Sequence, residues 1–439
     1  MLRPGWFSEY SPWQQKVYDQ ILETIENNYK MFGYDHVSTS AMEKNSVLQA
    51  KWWEETSKQI FGVYWLAQWA EDAKDYSLRF DLTIPFARYV VDWKSSLNFP
   101  FKRYQIDSVW RGERQQKWRY KEFVQADIDA IRSNSQGDVP FYDWEVVFVI
   151  YKSLFQLKEK FDISERFVVH INNKKVISSF LDYVCGNDQK KSHKLSVLLD
   201  KFDKIWEEEF FKELSNLWFD KETKNKIYDF ITMDVDYNLL SSIRDFIPDQ
   251  NFQEWIDQLK LFLSNLLNMG EIFEVDIDYK INFGIVRGLD YYTWIVFETF
   301  IQDYRGYSSI ASWWRYDDLT SNLDPKSWFS WVGGSIWVDR LFSWLTENNK
   351  IDQNYFFSSK YFFVNFEETN QDILYLARWF IKEGRQVEIF PYPQKMKKQL
   401  DYANKKWIRY VVILGEWEKT NWVYKLKDMV KWTEETYQI

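Results

Sequence analysis

Charged side chains interrupt four apolar segments of this chain, and this pattern limits the folds that it can adopt. The segments are residues 78–85, 109–114, 125–129 and 284–292. They are predicted to be strands of an antiparallel sheet, in which polar side chains alternate toward one face. Because a charge on a buried strand is costly unless it is paired, such strands usually line a polar pocket. The alternative is solvated strand faces with structural ion pairs, but four such segments together favour the pocket.

Helical patterns surround these segments. Residues 14–31 and 142–160 place apolar side chains at helical spacing, and residues 195–270, rich in Leu, Phe, Lys and Glu, indicate a helical insertion. After a polar linker at 347–354, strands alternate with helices. Strands are predicted at 361–364, 387–390 and 410–414, and helices at 370–383 and 395–406. This alternation is typical of a small α/β domain, so we expect an α+β fold followed by such a domain.

The composition narrows the possible functions. The chain has 439 residues, enough for about two or three domains. Lys+Arg 56 against Asp+Glu 65 gives a net charge of −9. This balance excludes a basic footprint over the whole molecule, so any nucleic acid must contact local basic patches, such as residues 102–121 and 395–409. A single Cys excludes an internal disulfide framework and fits a reducing compartment.

Signals for export, membrane insertion and metal binding are not found in the sequence. The first residues lack the apolar core of a signal peptide, and no run of about 18 apolar residues is present, so no membrane span is predicted. His36, His170 and His193 do not have metal-ligand spacing, and Cys185 has no base nearby in the sequence. We interpret these four residues as structural and predict no protein metal site.

The charged residues of the four segments fit one kind of ligand. Arg side chains bind phosphate through two parallel hydrogen bonds and stabilise charge that develops on it. The carboxylates of Asp81 and Asp129 suit an ammonium group and an imidazole N–H. Together these groups predict a pocket for a small cationic amino acid beside a nucleotide phosphate. The chain has no Gly-x-x-x-x-Gly-Lys sequence, so a P-loop is not the phosphate binder.

Three motifs in the chain resemble those of a single family. Motif 2 of the histidyl-tRNA synthetases resembles FKRYQI at residues 101–106 and RGERQQKWRYKEF at residues 111–123. The histidine-binding motif of that family resembles VRGLDYYT at residues 286–293, and motif 3 of class II synthetases resembles VGGSIWVDRL at residues 332–341. The likeness extends from Arg3 to about residue 432 and is weakest across residues 165–280.

The resemblance implies an α+β fold: a class II antiparallel sheet with flanking helices, a helical insertion and a C-terminal α/β anticodon-binding domain. The implied domains are 1–164 for the first part of the catalytic core, 165–280 for the insertion, 281–346 for the second part of the core and 355–439 for the anticodon-binding domain.

The same resemblance implies roles for individual residues. Catalysis is assigned to Arg287 and Arg111, both at the α-phosphate. The implied histidine-binding residues are Asp81, Thr83, Arg111, Gln125, Asp129, Arg287, Tyr291 and Tyr292. The implied ATP-binding residues are Arg111, Glu113 and Arg340, with Arg340 on the γ-phosphate. Asp81 and Thr83 would hold the α-amino group, and Asp129 would read the imidazole.

The implied reaction is ATP-dependent activation of L-histidine to histidyl-adenylate, followed by transfer to the 3′ end of tRNA(His). ATP is then a substrate, accompanied by Mg²⁺, and the enzyme is expected in the cytoplasm as a homodimer formed around residues 35–95. Two other interpretations stay open. One is a non-catalytic regulatory paralogue that senses histidine, and the other is a tRNA-binding module without chemistry.

The Trp and Gly contents are abnormal. The chain has 25 Trp and 14 Gly, whereas Gly at its usual share of roughly 7% would number about 31. Family Gly positions match Trp6, Trp52, Trp53, Trp118, Trp294, Trp313, Trp314, Trp337, Trp417 and Trp422. We hypothesise that the source organism reads UGA as Gly and that these codons were translated as Trp. The alternative is genuine Trp in a decayed paralogue.

Overall fold

The computed structural model describes residues 4–49, 59–64, 75–112, 118–133, 140–202, 205–285, 295–304, 308–316, 319–351 and 358–439. The chain divides into two compact units. The first consists of Met1–Ser8 and Ile21–Leu345, and the second consists of Glu9–Gln20 and Thr346–Ile439.

An eight-stranded sheet forms the centre of the first unit. Its strands are β1 (Asp35–His36), β5 (Phe101–Trp110), β6 (Glu122–Ser133), β7 (Phe167–Asn173), β8 (Tyr279–Ile281), β9 (Ile295–Ile301), β10 (Ala311–Tyr316) and β11 (Phe329–Trp337). Their spatial order is β1-β5-β6-β11-β10-β9-β7-β8. All neighbours are antiparallel except the two edge pairs, β1–β5 and β7–β8, which are parallel. The predicted antiparallel sheet is therefore confirmed.

Helices and a small sheet accompany the large sheet. The helices outside the insertion are α1 (Pro12–Met31), α2 (Asn45–Leu48), α3 (Thr83–Trp93), α4 (Phe141–Lys160) and α10 (Val338–Glu347). The small sheet has the order β2 (Met42–Lys44), β4 (Tyr76–Leu78) and β3 (Gly62–Val63). The helices predicted at 14–31 and 142–160 are confirmed by α1 and α4. The strand predicted at 78–85 is wrong, because β4 ends at Leu78 and a helix starts at Thr83.

The helical insertion lies between two strands of the large sheet, β7 and β8. It contains α5 (Lys174–Cys185), α6 (Gln189–Leu199), α7 (Glu207–Asn216), α8 (Lys221–Thr232), a 3₁₀ helix (Leu239–Ile243) and α9 (Gln250–Ile272). Four of these helices begin at an Asn or Asp whose side chain accepts a backbone N–H of the first turn: Asn173, Asp188, Asp220 and Asp249. Each such cap satisfies a donor that the helix itself leaves unpaired.

The second unit has a five-stranded mixed sheet of its own. Its elements are β12 (Ser358–Phe363), α11 (Asn370–Lys382), β13 (Val387–Ile389), α12 (Met396–Lys405), β14 (Ile408–Ile413), α13 (Glu416–Thr420), β15 (Val423–Asp428) and β16 (Thr433–Gln438). The order is β13-β12-β14-β15-β16, with β13, β12 and β14 parallel and the last two strands antiparallel. One apolar cluster includes Phe362 and Val411, and another includes Phe363 and Phe380. The alternating strands and helices were predicted, whereas β15 and β16 were not.

Within the described ranges, no helix is both long and apolar enough to cross a membrane.

Candidate active site

A row of polar side chains crosses one face of the large sheet. Its members are direct cross-strand partners on seven successive strands: Gln105, Asp127, Ser335, Ser312, Glu298, His170 and Lys280. Partners in register point to the same side of a sheet, so all seven share one face. A sheet face that packs only against a core would be apolar instead, and the row therefore marks this face as the candidate site.

Strand β6 supplies the acidic part of this face. Gln125, Asp127 and Asp129 alternate along the strand, and each has at most 1% of its surface exposed. The Gln125 amide donates to the Ser335 hydroxyl at 3.4 Å. The i, i+4 spacing led us to predict Gln125 and Asp129 on one face, where the structure places them. Asp127 was missed as a candidate, although the same alternation puts it between the other two.

Asp129 is held by two donors from neighbouring strands. Nη2 of Arg103 lies 2.8 Å from Oδ2, and the indole N–H of Trp331 donates to Oδ1 at 2.7 Å. Burial raises the pKa of the Asp129 carboxyl, while Arg103 and Trp331 act in the opposite direction. Gly333 is the cross-strand partner of Asp129, and a Cβ on Gly333 would lie 1.9 Å from Oδ1. The position of the Asp129 carboxyl thus depends on the absence of a side chain there.

Arg103 is part of the interior and does not belong to a surface patch. It has no exposed surface, its guanidinium lies 3.9 Å from the centre of the Phe86 ring, and it donates to the Leu82 carbonyl at 3.3 Å. Lys102, next to it, forms an ion pair with Glu145. The prediction that residues 102–121 form a basic patch is therefore wrong at its start. Net charge along a sequence does not show that a strand is buried.

Asp81 and Thr83 start a helix instead of lying on a strand. Thr83 is the first residue of α3 and is buried, and Oδ1 of Asp81 accepts the backbone N–H of Ile84 at 3.0 Å. Burial raises the pKa of Asp81, whereas the Ile84 N–H and Arg111 act to lower it. The helix was missed because apolar Leu78, Phe80, Leu82 and Ile84 alternate with Arg79, Asp81 and Thr83, which is the period of a strand.

Arg111 and Arg340 line a single cavity at the end of β6 and β11. Nε of Arg111 donates to the Phe80 carbonyl at 2.8 Å, and its guanidinium lies 5.2 Å from the centre of the Phe123 ring. Arg340 donates to the Ser309 carbonyl at 2.8 Å and covers the Trp337 ring at 4.1 Å. Arg111 follows β5, which ends at Trp110, so it lies just beyond this strand and not within one, as was predicted for residues 109–114.

The cavity between these Arg residues is almost filled. Its volume is about 20 Å³, and Trp118 and Trp337 are among its walls. A single water needs about 10 to 15 Å³ of such volume, so a nucleotide cannot enter the cavity in this form.

Four of the residues predicted for the site fall outside the described ranges. They are Glu113, Arg287, Tyr291 and Tyr292. Of the remaining six, Gln125 and Asp129 lie on the sheet face, Arg111 and Arg340 line the cavity, and Asp81 and Thr83 lie at the start of α3.

The described ranges contain no group of three or more His, Cys, Asp or Glu arranged to hold a metal ion. Burial lowers the pKa of His170 to about 4 and raises the pKa of Cys185 to about 11. Both side chains are therefore neutral near pH 7, consistent with the structural roles assigned to them.

Comparison with known proteins identifies the family to which this arrangement belongs. The profile of the family described as histidyl-tRNA synthetase matches residues 6–341. The histidine–tRNA ligase of Clostridium acetobutylicum is 35% identical over 431 residues, which are 97% of this chain and 95% of the relative. The histidine–tRNA ligase of Clostridium tetani is 34% identical over 440 residues, 99% and 95% of the two chains. The chain belongs to the histidyl-tRNA synthetase family.

Solved structures agree with this membership. The histidyl-tRNA synthetase from Nostoc sp. PCC 7120 is 26% identical, with a TM-score of 0.86 and coverage of 99% of this chain and 96% of that one. A Bacillus halodurans protein described as an ATP phosphoribosyltransferase regulatory subunit/histidyl-tRNA synthetase shares the fold, with a TM-score of 0.73 at 18% identity and coverage of 94% and 97%. The predicted fold class, a class II sheet with a C-terminal α/β unit, is confirmed by these histidyl-tRNA synthetase neighbours.

Proposed function

We propose that this protein is a histidine–tRNA ligase. It activates L-histidine with ATP to give histidyl-adenylate and pyrophosphate, and then transfers the histidyl group to the 3′ end of tRNA(His). One observation carries the proposal: buried carboxylates lie along β6 on one sheet face, and two half-buried guanidinium groups, those of Arg111 and Arg340, line a cavity at the end of β6 and β11. This arrangement suits a ligand that is cationic at one end and bound to phosphate at the other.

The histidine end of the site consists of side chains from α3 and β6. Asp81 and Thr83 hold the α-amino group, Gln125 contacts the amino acid, and Asp129 reads the imidazole. Arg103 and Trp331 fix the Asp129 carboxyl in place, since each contacts one of its oxygens. A carboxylate fixed in this way can accept an N–H without reorganising. Tyr291 and Tyr292 are assigned to the wall beside the ring by resemblance alone.

The phosphate end of the site consists of Arg residues. Arg111 and Arg287 contact the α-phosphate, and Arg340 and Glu113 contact the rest of ATP. An oxygen of the histidine carboxylate attacks the α-phosphorus, the bond to the bridging oxygen of the β-phosphate breaks, and pyrophosphate leaves with that electron pair. The guanidinium groups stabilise the charge that develops, an effect worth about 10²- to 10³-fold in rate per donor. Mg²⁺ accompanies ATP, and phosphate oxygens and waters are its usual ligands in such sites.

The partners follow from the same proposal. A hydroxyl at the 3′ end of the tRNA attacks the histidyl carbonyl carbon, and AMP leaves. Exposed Lys395, Lys397, Lys398 and Lys405 on and beside α12 form a local basic surface in the second unit, which we assign to anticodon binding. We further propose a homodimer formed around residues 35–95 and a cytoplasmic location.

The proposed domain division stays at 1–164, 165–280, 281–346 and 355–439. The helices of the insertion lie in residues 174–272, while β7 and β8 at its ends pair within the large sheet.

The regulatory paralogue is the second candidate function, because the Bacillus halodurans neighbour with that description shares the fold. Retention of the Arg pair in one cavity and of the C-terminal α/β unit favours the ligase.

We also propose that many of the Trp positions are Gly in the native protein. Within the described ranges, eleven residues other than Gly have positive φ, and six of them are Trp: Trp6, Trp118, Trp218, Trp407, Trp422 and Trp432. Their φ values lie between 53° and 70°. Bulky residues rarely adopt this conformation, whereas Gly adopts it readily. Trp218, Trp407 and Trp432 were not among the positions matched by resemblance, and they extend the proposal.

The nucleotide cavity supports the same proposal. Trp118 and Trp337 occupy its walls, and the buried indole N–H of Trp337 has no acceptor among the described residues. A buried donor without a partner costs about 1 to 3 kcal/mol. Gly at both positions would remove this cost and open space beside Arg111 and Arg340.

Histidine-dependent exchange of pyrophosphate into ATP tests the function. Two full-length proteins are compared: the printed chain and a glycine-restored chain with Gly at all Trp positions named above as recoded. We expect exchange in the glycine-restored chain and a loss of at least about 10²-fold in the printed chain, because its cavity excludes ATP. Absence of histidine-dependent exchange in both would reject the ligase. Peptide mass spectrometry of native protein tests the recoding separately, and Trp at 118 and 337 would reject it.

A further inference from the structure

Asp127 is a buried carboxyl that the proposed roles leave without a function. It has 1% of its surface exposed and forms no ion pair, and among the described residues only the Ser335 hydroxyl lies close enough to act on its carboxylate as a donor. Its cross-strand partners are Gln105 and Ser335, and Gln105 Nε2 donates instead to Asp107 at 3.1 Å. Since an unpaired buried carboxylate costs several kcal/mol, a group of this kind is retained where a ligand supplies the missing donor.

The nearest fixed cation in the described ranges is already engaged. Arg103 pairs with Asp129 at 2.8 Å and donates to the Leu82 carbonyl. Arg103 therefore attracts the Asp127 carboxylate electrostatically but forms no ion pair with it. The carboxyls of Asp129 and Asp81 lie near Asp127 in the protein interior. A ligand that binds among these three acidic groups should therefore be positively charged.

The order of side chains along β6 identifies which part of the ligand Asp127 meets. Gln125 pairs with Trp337 at the phosphate end, and Asp129 pairs with Gly333 beside Arg103. Alternate residues of a strand are about 7 Å apart, so Asp127 lies about 7 Å farther from the phosphate end than Gln125 does. An amino acid whose carboxylate lies at the α-phosphate has its α-ammonium group next and its ring farthest in.

We propose that Asp127 binds the α-ammonium group of histidine, opposite Asp81, and so completes the recognition of a free amino acid. This inference rests on the proposed function and adds a residue to it. Oδ1 of Asp81 already accepts the Ile84 N–H at the start of α3. Asp127 accepts no backbone N–H and no ion pair in the described chain, and the neutral Ser335 hydroxyl is the donor that acts on it, so it can still accept a charged donor. Ligands that lack the amino group then lose this contact, whereas the imidazole contact at Asp129 is kept.

Binding of the ammonium group is coupled to the protonation of Asp127. Burial, together with the charges of Asp129 and Asp81, raises the pKa of the Asp127 carboxyl to about 7, while Arg103 and the Ser335 hydroxyl act to lower it. The Asp127 carboxylate also interacts electrostatically with the buried hydroxyl of Tyr29, on α1, whose pKa it raises. Only the ionised carboxylate attracts a cation, so histidine affinity should increase as the pH rises through about 7. The increase should be absent from Asp127→Asn. Histidine itself titrates in the same way in both experiments, so the difference between the pH profiles of the parent and the variant reports Asp127 alone.

The test uses two small ligands and three full-length proteins. Histidinol keeps the ammonium group and the ring but has no carboxylate, and imidazolepropionate has the ring but no amino group. Neither measurement needs ATP, so calorimetry can be done on the printed and the glycine-restored chains alike. Asp127→Asn is compared with its parent and with Asp143→Asn. Asp143 is a matched control, because it is also a buried carboxyl but pairs with Arg315 at 3.2 Å over the opposite face of the sheet.

In Asp127→Asn we expect histidinol to bind about 10- to 100-fold more weakly, as for loss of a charge-assisted hydrogen bond, while imidazolepropionate binding stays unchanged. The unfolding midpoint should not decrease, since an unpaired carboxylate is removed. Asp143→Asn should lose stability without changing histidinol affinity. The role of Asp127 would be overturned if Asp127→Asn weakened the binding of both ligands equally, or if it left histidinol binding unchanged while the parent catalysed exchange. Neither result would contradict the ligase function. If neither the printed chain nor the glycine-restored chain bound histidinol or catalysed exchange, both proposals would be overturned.

Discussion

At the scale of single residues, Gly333 and Asp129 fit each other across two strands. A Cβ at Gly333 would lie 1.9 Å from Oδ1 of Asp129 and 3.0 Å from the Ile128 carbonyl. The backbone carbonyl cannot move away cheaply, so the carboxylate must. Displacement would also break its contacts with Arg103 and Trp331.

Gly333→Ala should therefore weaken histidine recognition. We expect the KM for histidine in pyrophosphate exchange to rise, because Asp129 is moved, and stability to fall by about 1 to 3 kcal/mol through overpacking. The KM for ATP should change little. Gly62→Ala is the control, since a Cβ at Gly62 meets nothing within 4 Å. A Gly333→Ala enzyme with unchanged kinetics would contradict the proposed position of Asp129.

The sequence could predict which residue types form the site but not which of them are buried. Spacing along β6 was enough to place Gln125 and Asp129 on one face. Arg103 was assigned to a surface patch, because a run of positive charges reads the same whether its strand is central or exposed. Asp127 was overlooked for a related reason, since its importance comes from donors that are missing around it. Such an absence is visible only when the strands are paired.

At the scale of elements, the β7–β8 edge of the sheet contains a neutral His. His170 Nδ1 lies 3.1 Å from Nδ2 of Asn282, and its ring lies 4.7 Å from that of Phe300. Burial and then Lys280 lower its pKa to about 4. An unfolded His titrates near about 6.5, so between these values the unfolded chain binds more protons than the folded one.

Stability should consequently fall as the pH decreases from about 6.5 toward about 4. Urea unfolding at pH 7 and pH 5 measures this loss. His170→Gln should lose less stability over the same interval, because Gln does not titrate. His193→Gln, at the start of the insertion, is the control and should behave like the parent. An identical loss in His170→Gln would mean that other groups cause it.

The helices and strands differ in how clearly the sequence pattern predicts them. Helices α1 and α4 repeat apolar residues at helical spacing, and both were predicted within a few residues of their ends. Residues 78–84 alternate apolar and polar side chains as a strand does, so the sequence pattern shows no sign of the turn from β4 into α3. β15 and β16 were missed because their surface positions are charged, and β16 is exposed along its whole length.

At the scale of the whole molecule, the second unit has its own sheet and two apolar clusters. The fragment 346–439 should fold alone, since its core is assembled from residues within that stretch. We expect a cooperative thermal transition by circular dichroism, with a glycine-restored version more stable than the printed one. The complementary fragment 1–345 of the glycine-restored chain should keep pyrophosphate exchange and lose most tRNA charging. A fragment 346–439 without a cooperative transition would contradict this division.

The strand order has a consequence for how the protein is made. β11 lies between β6 and β10, yet it is the last of the eight strands to leave the ribosome. Until residues 329–337 are synthesised, the nascent chain has two incomplete half-sheets, one ending at β6 and the other at β10. Each presents an unpaired edge to other chains, which is a common start of aggregation. Newly made copies should thus depend on chaperones most just before this central strand emerges, and a chain terminated before residue 329 cannot assemble the floor of its pocket.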